Sequence, residues 1–118
     1  VEALVPTFFV GNSPKINRLK SRYLKVANKC SKRGIIASVE GMKLRKEREI
    51  VLKFAPYPYL FVIGKLDPIL KSENLLNQVK LGEYGKALIL EESSHMSFLE
   101  EEGRVYKALK TFAQKFDY

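Results

Sequence analysis

Residues 59–68 read Tyr59-Leu60-Phe61-Val62-Ile63-Gly64-Lys65-Leu66-Asp67-Pro68, and residues 86–95 read Lys86-Ala87-Leu88-Ile89-Leu90-Glu91-Glu92-Ser93-Ser94-His95. The first opens with consecutive aromatic and β-branched residues bounded by Pro58 and Gly64, the pattern of a strand buried on both faces. Lys86 to Leu90 gives a second strand of the same kind. Between them, Ser72 to Leu81 places Leu75, Leu76 and Val79 on one helical face, and Gly82 closes the segment. Strand, helix and strand together have the size of a βαβ unit, whose crossover is right-handed. The class is therefore α/β, with two parallel strands.

Both strands carry a chemically able residue just beyond their carboxyl ends. Asp67 lies four residues past Ile63, and His95, the single histidine, lies five past Leu90. Neighbouring strands run about 4.8 Å apart, so the two loops can meet at one sheet edge, where open α/β sheets bind ligands. A carboxylate on one imidazole nitrogen fixes the tautomer and leaves the other nitrogen free as a base. The spacing equally suits a bland alternative, in which Asp67 shapes an Asp-Pro turn and His95 is an ordinary loop residue.

Upstream, the chain changes character. Residues 1–55 hold 13 Lys and Arg against 4 Asp and Glu, a net +9, whereas residues 56–118 hold 8 against 9, a net −1. This divides the chain into a basic helical part, 1–55, and a nearly neutral α/β part, 56–118. Leu4 to Val10, interrupted by Pro6, reads as extended or irregular. Ser13 and Pro14 mark a helix start, followed by an apolar face of Ile16, Leu19, Tyr23, Val26, Ala27 and Cys30 that Gly34 would terminate. A second helix is predicted over Ile35 to Met42 and a third over Leu44 to Phe54, with Ile50, Val51 and Phe54 inward. Ala55 to Pro58 is the linker.

Downstream, a last helix starts near Glu100. Glu100, Glu101 and Glu102 suit its positive N-terminal end, and a solvated, dipole-matched turn is favoured over a metal site. Val105, Leu109, Phe112 and Phe116 are expected to pack on the sheet.

Composition narrows the function classes. No run approaches the roughly eighteen apolar residues that a membrane span needs. Cys30 cannot pair within the chain and is expected to be a small buried residue, so nothing argues for an oxidising compartment. With no signal-peptide pattern, the expected location is cytoplasmic. No cofactor or metal is implied.

From Tyr59 to Phe112 the chain resembles the C-terminal end of the α/β-hydrolase family. Tyr59 to Pro68 is similar to the family's penultimate strand and acid-bearing turn. Glu91-Glu92-Ser93-Ser94-His95-Met96-Ser97-Phe98-Leu99-Glu100 is similar to the loop carrying its catalytic histidine. Where the family usually has glycine before that histidine, this chain has Ser94. The resemblance implies that Asp67 is the triad acid and His95 the general base in an esterase-like hydrolase acting on a small-molecule substrate. It implies too that residues 1–55 form a helical cap. Pro6 to Phe9 and Ile35 to Met42, with Arg45 and Arg48, resemble cap segments, and Phe8, Phe9 and Met42 are candidates for an apolar wall.

The family's nucleophile sits on a Gly-x-Ser-x-Gly elbow upstream of the cap. None of Ser13, Ser21, Ser31, Ser38, Ser72, Ser93, Ser94 and Ser97 has that setting. The expectation is a C-terminal part of a longer hydrolase, inactive alone. Its first strand would expose an edge to its N-terminal half or to a second copy. Two other classes compete: a non-catalytic relative used for binding, and a nucleic-acid module recruited through the basic half. Lysines on one amphipathic helix, without a binding motif, count against the latter.

Overall fold

The computed structural model describes residues 2–116. After a 3-10 helix at Val5–Phe8 come helices α1 (Pro14–Ala27), α2 (Lys32–Leu44) and α3 (Glu49–Lys53), then strand β1 (Tyr59–Gly64). Helix α4 (Ser72–Val79), strand β2 (Gly85–Leu90) and helices α5 (Ser97–Glu100) and α6 (Glu102–Gln114) follow. The strands pair in parallel from Tyr59 against Gly85 to Gly64 against Leu90. Helix α4 crosses between them and buries Val79. The mixed α/β class with a two-stranded parallel sheet is thus as expected.

The most deeply buried apolar residues, Ile63 and Leu90, lie at the carboxyl ends of the two strands. At the opposite end, the Tyr59 hydroxyl donates to Val79 O at 2.9 Å and accepts from Gly82 N at 2.9 Å, tying the end of α4 to the start of β1. The sheet is therefore anchored below and packed above, where the functional loops leave it.

The helical part departs from its expected form. Pro6 starts the 3-10 helix at Val5–Phe8 where extended chain was expected, because its fixed φ suits a first turn. Helix α1 stops at Ala27, well short of Gly34. The cause is Ser31, whose side chain accepts from Gly34 N at 3.0 Å and caps a new helix in which Gly34 is an early residue. That break turns Cys30 out to solvent, so it is not a buried residue. Helix α3 is only Glu49–Lys53, and Ile50, Val51 and Phe54 face outward, not inward. Downstream, the last helix starts at Glu102, close to its expected start, and a short helix α5 precedes it across Glu101. Leu109 is exposed, whereas Val105 is buried.

Neither α1, α2 nor α3 buries a single residue fully. The chain has a radius of gyration of 16.2 Å, against about 13.5 Å for a compact chain of its length. Its accessible surface is 9039 Å², against about 6,500 Å² for a folded monomer of its mass.

Candidate active site

The acid loop begins where β1 ends. Lys65 N donates to Leu90 O at 3.0 Å and Leu66 N to Ser93 O at 2.9 Å, so the loop after β1 is laced to the loop after β2. Asp67 then reverses the chain ahead of Pro68. Its Oδ1 accepts from Ile69 N at 2.8 Å and Leu70 N at 3.0 Å, which pins the carboxylate plane. The other oxygen, Oδ2, lies 2.9 Å from His95 Nδ1. The structure therefore brings together the two residues singled out by their spacing.

Only 6 % of the Asp67 side chain is exposed, and 28 % of that of His95. Burial acts to raise the Asp67 pKa. Donation from Leu70 N, from His95 and from Ile69 N, with the attraction of the imidazole, outweighs burial and holds it below the ordinary 3.8. Asp67 is thus an ionised acceptor, which assigns the Nδ1 proton of the neutral ring to the shared hydrogen bond and the lone pair to Nε2.

The histidine loop fits closely over the end of β1. A Cβ on Gly64 would stand 2.0 Å from Ser94 O and 2.8 Å from Ser93 O, so only glycine lets the loop lie there. Ser93 and Ser94 are fully buried. Ser93 Oγ donates to Glu101 Oε2, and this bond, with Arg104 at 2.9 Å, lowers the Glu101 pKa against a smaller effect of burial. Ser94 N donates to Glu100 Oε2 at 3.1 Å and its hydroxyl to Glu100 Oε1 at 2.7 Å.

The N-terminal segment completes the surround. His95 N donates to Phe8 O at 3.1 Å, and Val10 N to Ser94 Oγ at 3.2 Å. The Phe8 ring packs on the imidazole with centroids 5.3 Å apart. Of the three apolar-wall candidates, Phe8 meets His95. Phe9 is buried and packs edge-on against Tyr23, and Met42 lines a separate cleft of about 480 Å³ with Arg45, Arg48, Leu52 and Gln78.

Of the glutamates at the start of the last helix only Glu102 is exposed, so the expected solvated turn holds for that residue alone. Glu100 is only 7 % exposed and Glu101 is held by Ser93 and Arg104. Three equal glutamates carry no sign of this in sequence; the available signal is two adjacent small donors, Ser94 six residues ahead of Glu100 and Ser93 eight ahead of Glu101. Gly64 marks a strand boundary in the sequence, and in the structure it is also the floor of the histidine loop.

Chemically the arrangement offers a proton acceptor, Nε2, backed by a carboxylate. Among the described residues no serine or cysteine side chain hydrogen-bonds that nitrogen, and no group of three or more His, Cys, Asp or Glu gathers to hold a metal ion. No helix among them is long and apolar enough to cross a membrane. No protein-family model matches the chain, and no curated protein matches it.

Proposed function

We propose that this chain supplies the acid and base of a nucleophile–His–Asp triad in a hydrolase of α/β-hydrolase type, with Asp67 as acid and His95 as general base. The carrying observation is the 2.9 Å contact between Asp67 Oδ2 and His95 Nδ1 at the carboxyl edge of two parallel strands. Nε2 takes the proton of an attacking hydroxyl and returns it to the leaving group, while Asp67 stabilises the imidazolium. The nucleophile comes from outside the chain, since Ser93 and Ser94 are buried and committed to Glu101 and Glu100. A serine there suits small esters; an aspartate suits epoxides or haloalkanes.

The surplus surface supports a missing partner. About 2,500 Å² more is exposed than a compact monomer of this mass would show, a quantity that a large obligate interface covers. The fitting occupant is the N-terminal half of the same hydrolase core, paired along a free strand edge and covered by residues 1–55 as a cap. Two copies of a chain of net charge +8 would repel each other. An exposed, unpaired Cys30 thiol suits a reducing compartment, and we place the protein in the cytoplasm.

The test is hydrolysis of a short-chain p-nitrophenyl ester. The 118 residues alone show no turnover, and joined to an N-terminal half bearing the nucleophile they hydrolyse it. His95→Ala then lowers kcat/KM by roughly 10⁴-fold or more. Undiminished activity of that variant refutes the reading, and a joined protein without turnover favours a binding role.

A further inference from the structure

A buried carboxylate must be compensated by hydrogen bonds or a counter-charge. Glu100 is 7 % exposed and has no ion pair among the described residues. Its carboxylate instead accepts twice from one residue, Ser94, through N–H at 3.1 Å and Oγ–H at 2.7 Å. Ser94 directly precedes His95. Its hydroxyl has one proton and two acceptors in reach, Glu100 Oε1 and Phe8 O at 3.1 Å. The shorter, charged acceptor takes it, and Phe8 O is satisfied by His95 N–H. The same hydroxyl oxygen accepts from Val10 N.

Resting on the acid–base reading above, we propose that Glu100 is a positioning residue for His95: it sets Ser94, and through it holds the imidazole against Asp67 and the 3-10 segment against the imidazole. Two bonds to one residue fix the Ser93–Ser94 peptide plane and the Ser94 rotamer, and the next plane, which leads into His95, is held by His95 N–H on Phe8 O. Through Ser94 Oγ the same carboxylate reaches Val10, and Phe8 therefore keeps its carbonyl and its ring on the histidine. Lys15 Nζ donates to Glu100 O, adding a third tie from α1 to this corner. A single buried glutamate thus joins the histidine loop, the N-terminal segment and the α5–α6 junction.

His95 is the chain's only histidine, so imidazole ¹⁵N–¹H spectra of the full chain report on it alone. The wild type is expected to show one neutral tautomer, protonated at Nδ1. Glu100→Ala changes this to a tautomer mixture while far-UV circular dichroism is retained; Glu100→Gln, which keeps an acceptor oxygen for Ser94, restores the single tautomer. A folded Glu100→Ala chain with the wild-type imidazole spectrum overturns the proposal. Should that variant not fold, Ser94→Ala removes only the hydroxyl bonds and is expected to shift the spectrum in the same direction; an unchanged spectrum overturns the proposal equally. Asp67→Asn separates the two claims. If it leaves the imidazole unchanged, the acid–base pair itself fails and takes Glu100 with it. If it alters the imidazole and Glu100→Ala does not, only the role of Glu100 fails.

Discussion

Two regions of this molecule are apolar in similar proportion but bury that sequence to different extents. From β1 to α5, Ile63 and Leu90 are sealed beneath two loops whose buried side-chain polar atoms are all partnered among the described residues. Across α2 and α3, Ile36, Val39, Met42, Leu44, Ile50, Val51 and Phe54 are exposed, and neither helix buries a residue. Isolated helices of this length are marginal in water. The difference separates a corner held by its own loops and the Phe8–Val10 segment from helices whose apolar side chains are exposed. The proposed acid–base pair and the exposed apolar helices thus sit in different parts of one chain.

Substitutions should divide along that line. The largest effect is expected from Ile63→Ala, which opens a cavity in the sealed region and costs about 4 kcal/mol, measured by urea unfolding. Gly64→Ala follows at about 3 kcal/mol, because its Cβ meets the Ser94 carbonyl; loss of the His95–Asp67 hydrogen bond in imidazole spectra would accompany it. A Gly64→Ala chain as stable as the wild type would mean that the histidine loop does not lie on β1.

Asp67→Ala comes next, at about 2 kcal/mol, from stranding the Ile69, Leu70 and His95 donors. This contribution has a definite pH signature. Asp67 and Glu101 have lowered pKa values in the folded chain, relative to 3.8 and 4.5. Their stabilisation is therefore complete above about pH 4.5, and it is lost as pH falls through their lowered folded values. Acid titration of unfolding should show a shallower loss in Asp67→Ala than in the wild type.

The smallest effect is expected on the other side of the comparison. Val39→Asp on α2 should change the stability of the chain by less than about 0.5 kcal/mol, yet weaken binding to a covering partner. A large loss in the chain by itself would show that α2 is already packed.

What was readable in the sequence follows the same division. Tyr59 to Ile63 and Ala87 to Leu90 are short apolar runs with clear stops, and strand length, flanking Pro58 and Gly64, and aromatic and β-branched content favour strands there. Asp67 and His95 follow at nearly equal offsets, so parallel pairing alone brings them together. Helix limits in the basic half were harder, because Ser31 competes with Gly34 for the same boundary and a satisfied cap outweighs a helix-weakening glycine. Periodicity named an apolar face on residues 50–54 but carries no information on whether anything meets it. Glu100 was hidden among identical neighbours; the break at Glu101 and two serine donors, not residue type, turn it inward.

The central claim is that Asp67 and His95 act as one unit on a reacting hydroxyl. Its most direct test is a double-mutant cycle on kcat/KM for p-nitrophenyl ester hydrolysis, in the chain joined to an N-terminal half that bears the proposed nucleophile. The expected result is a fall of roughly 10⁴-fold for Asp67→Asn and at least as much for His95→Ala, with the double variant no slower than His95→Ala alone. Losses that multiply in the double variant, or an Asp67→Asn enzyme of wild-type rate, would contradict it.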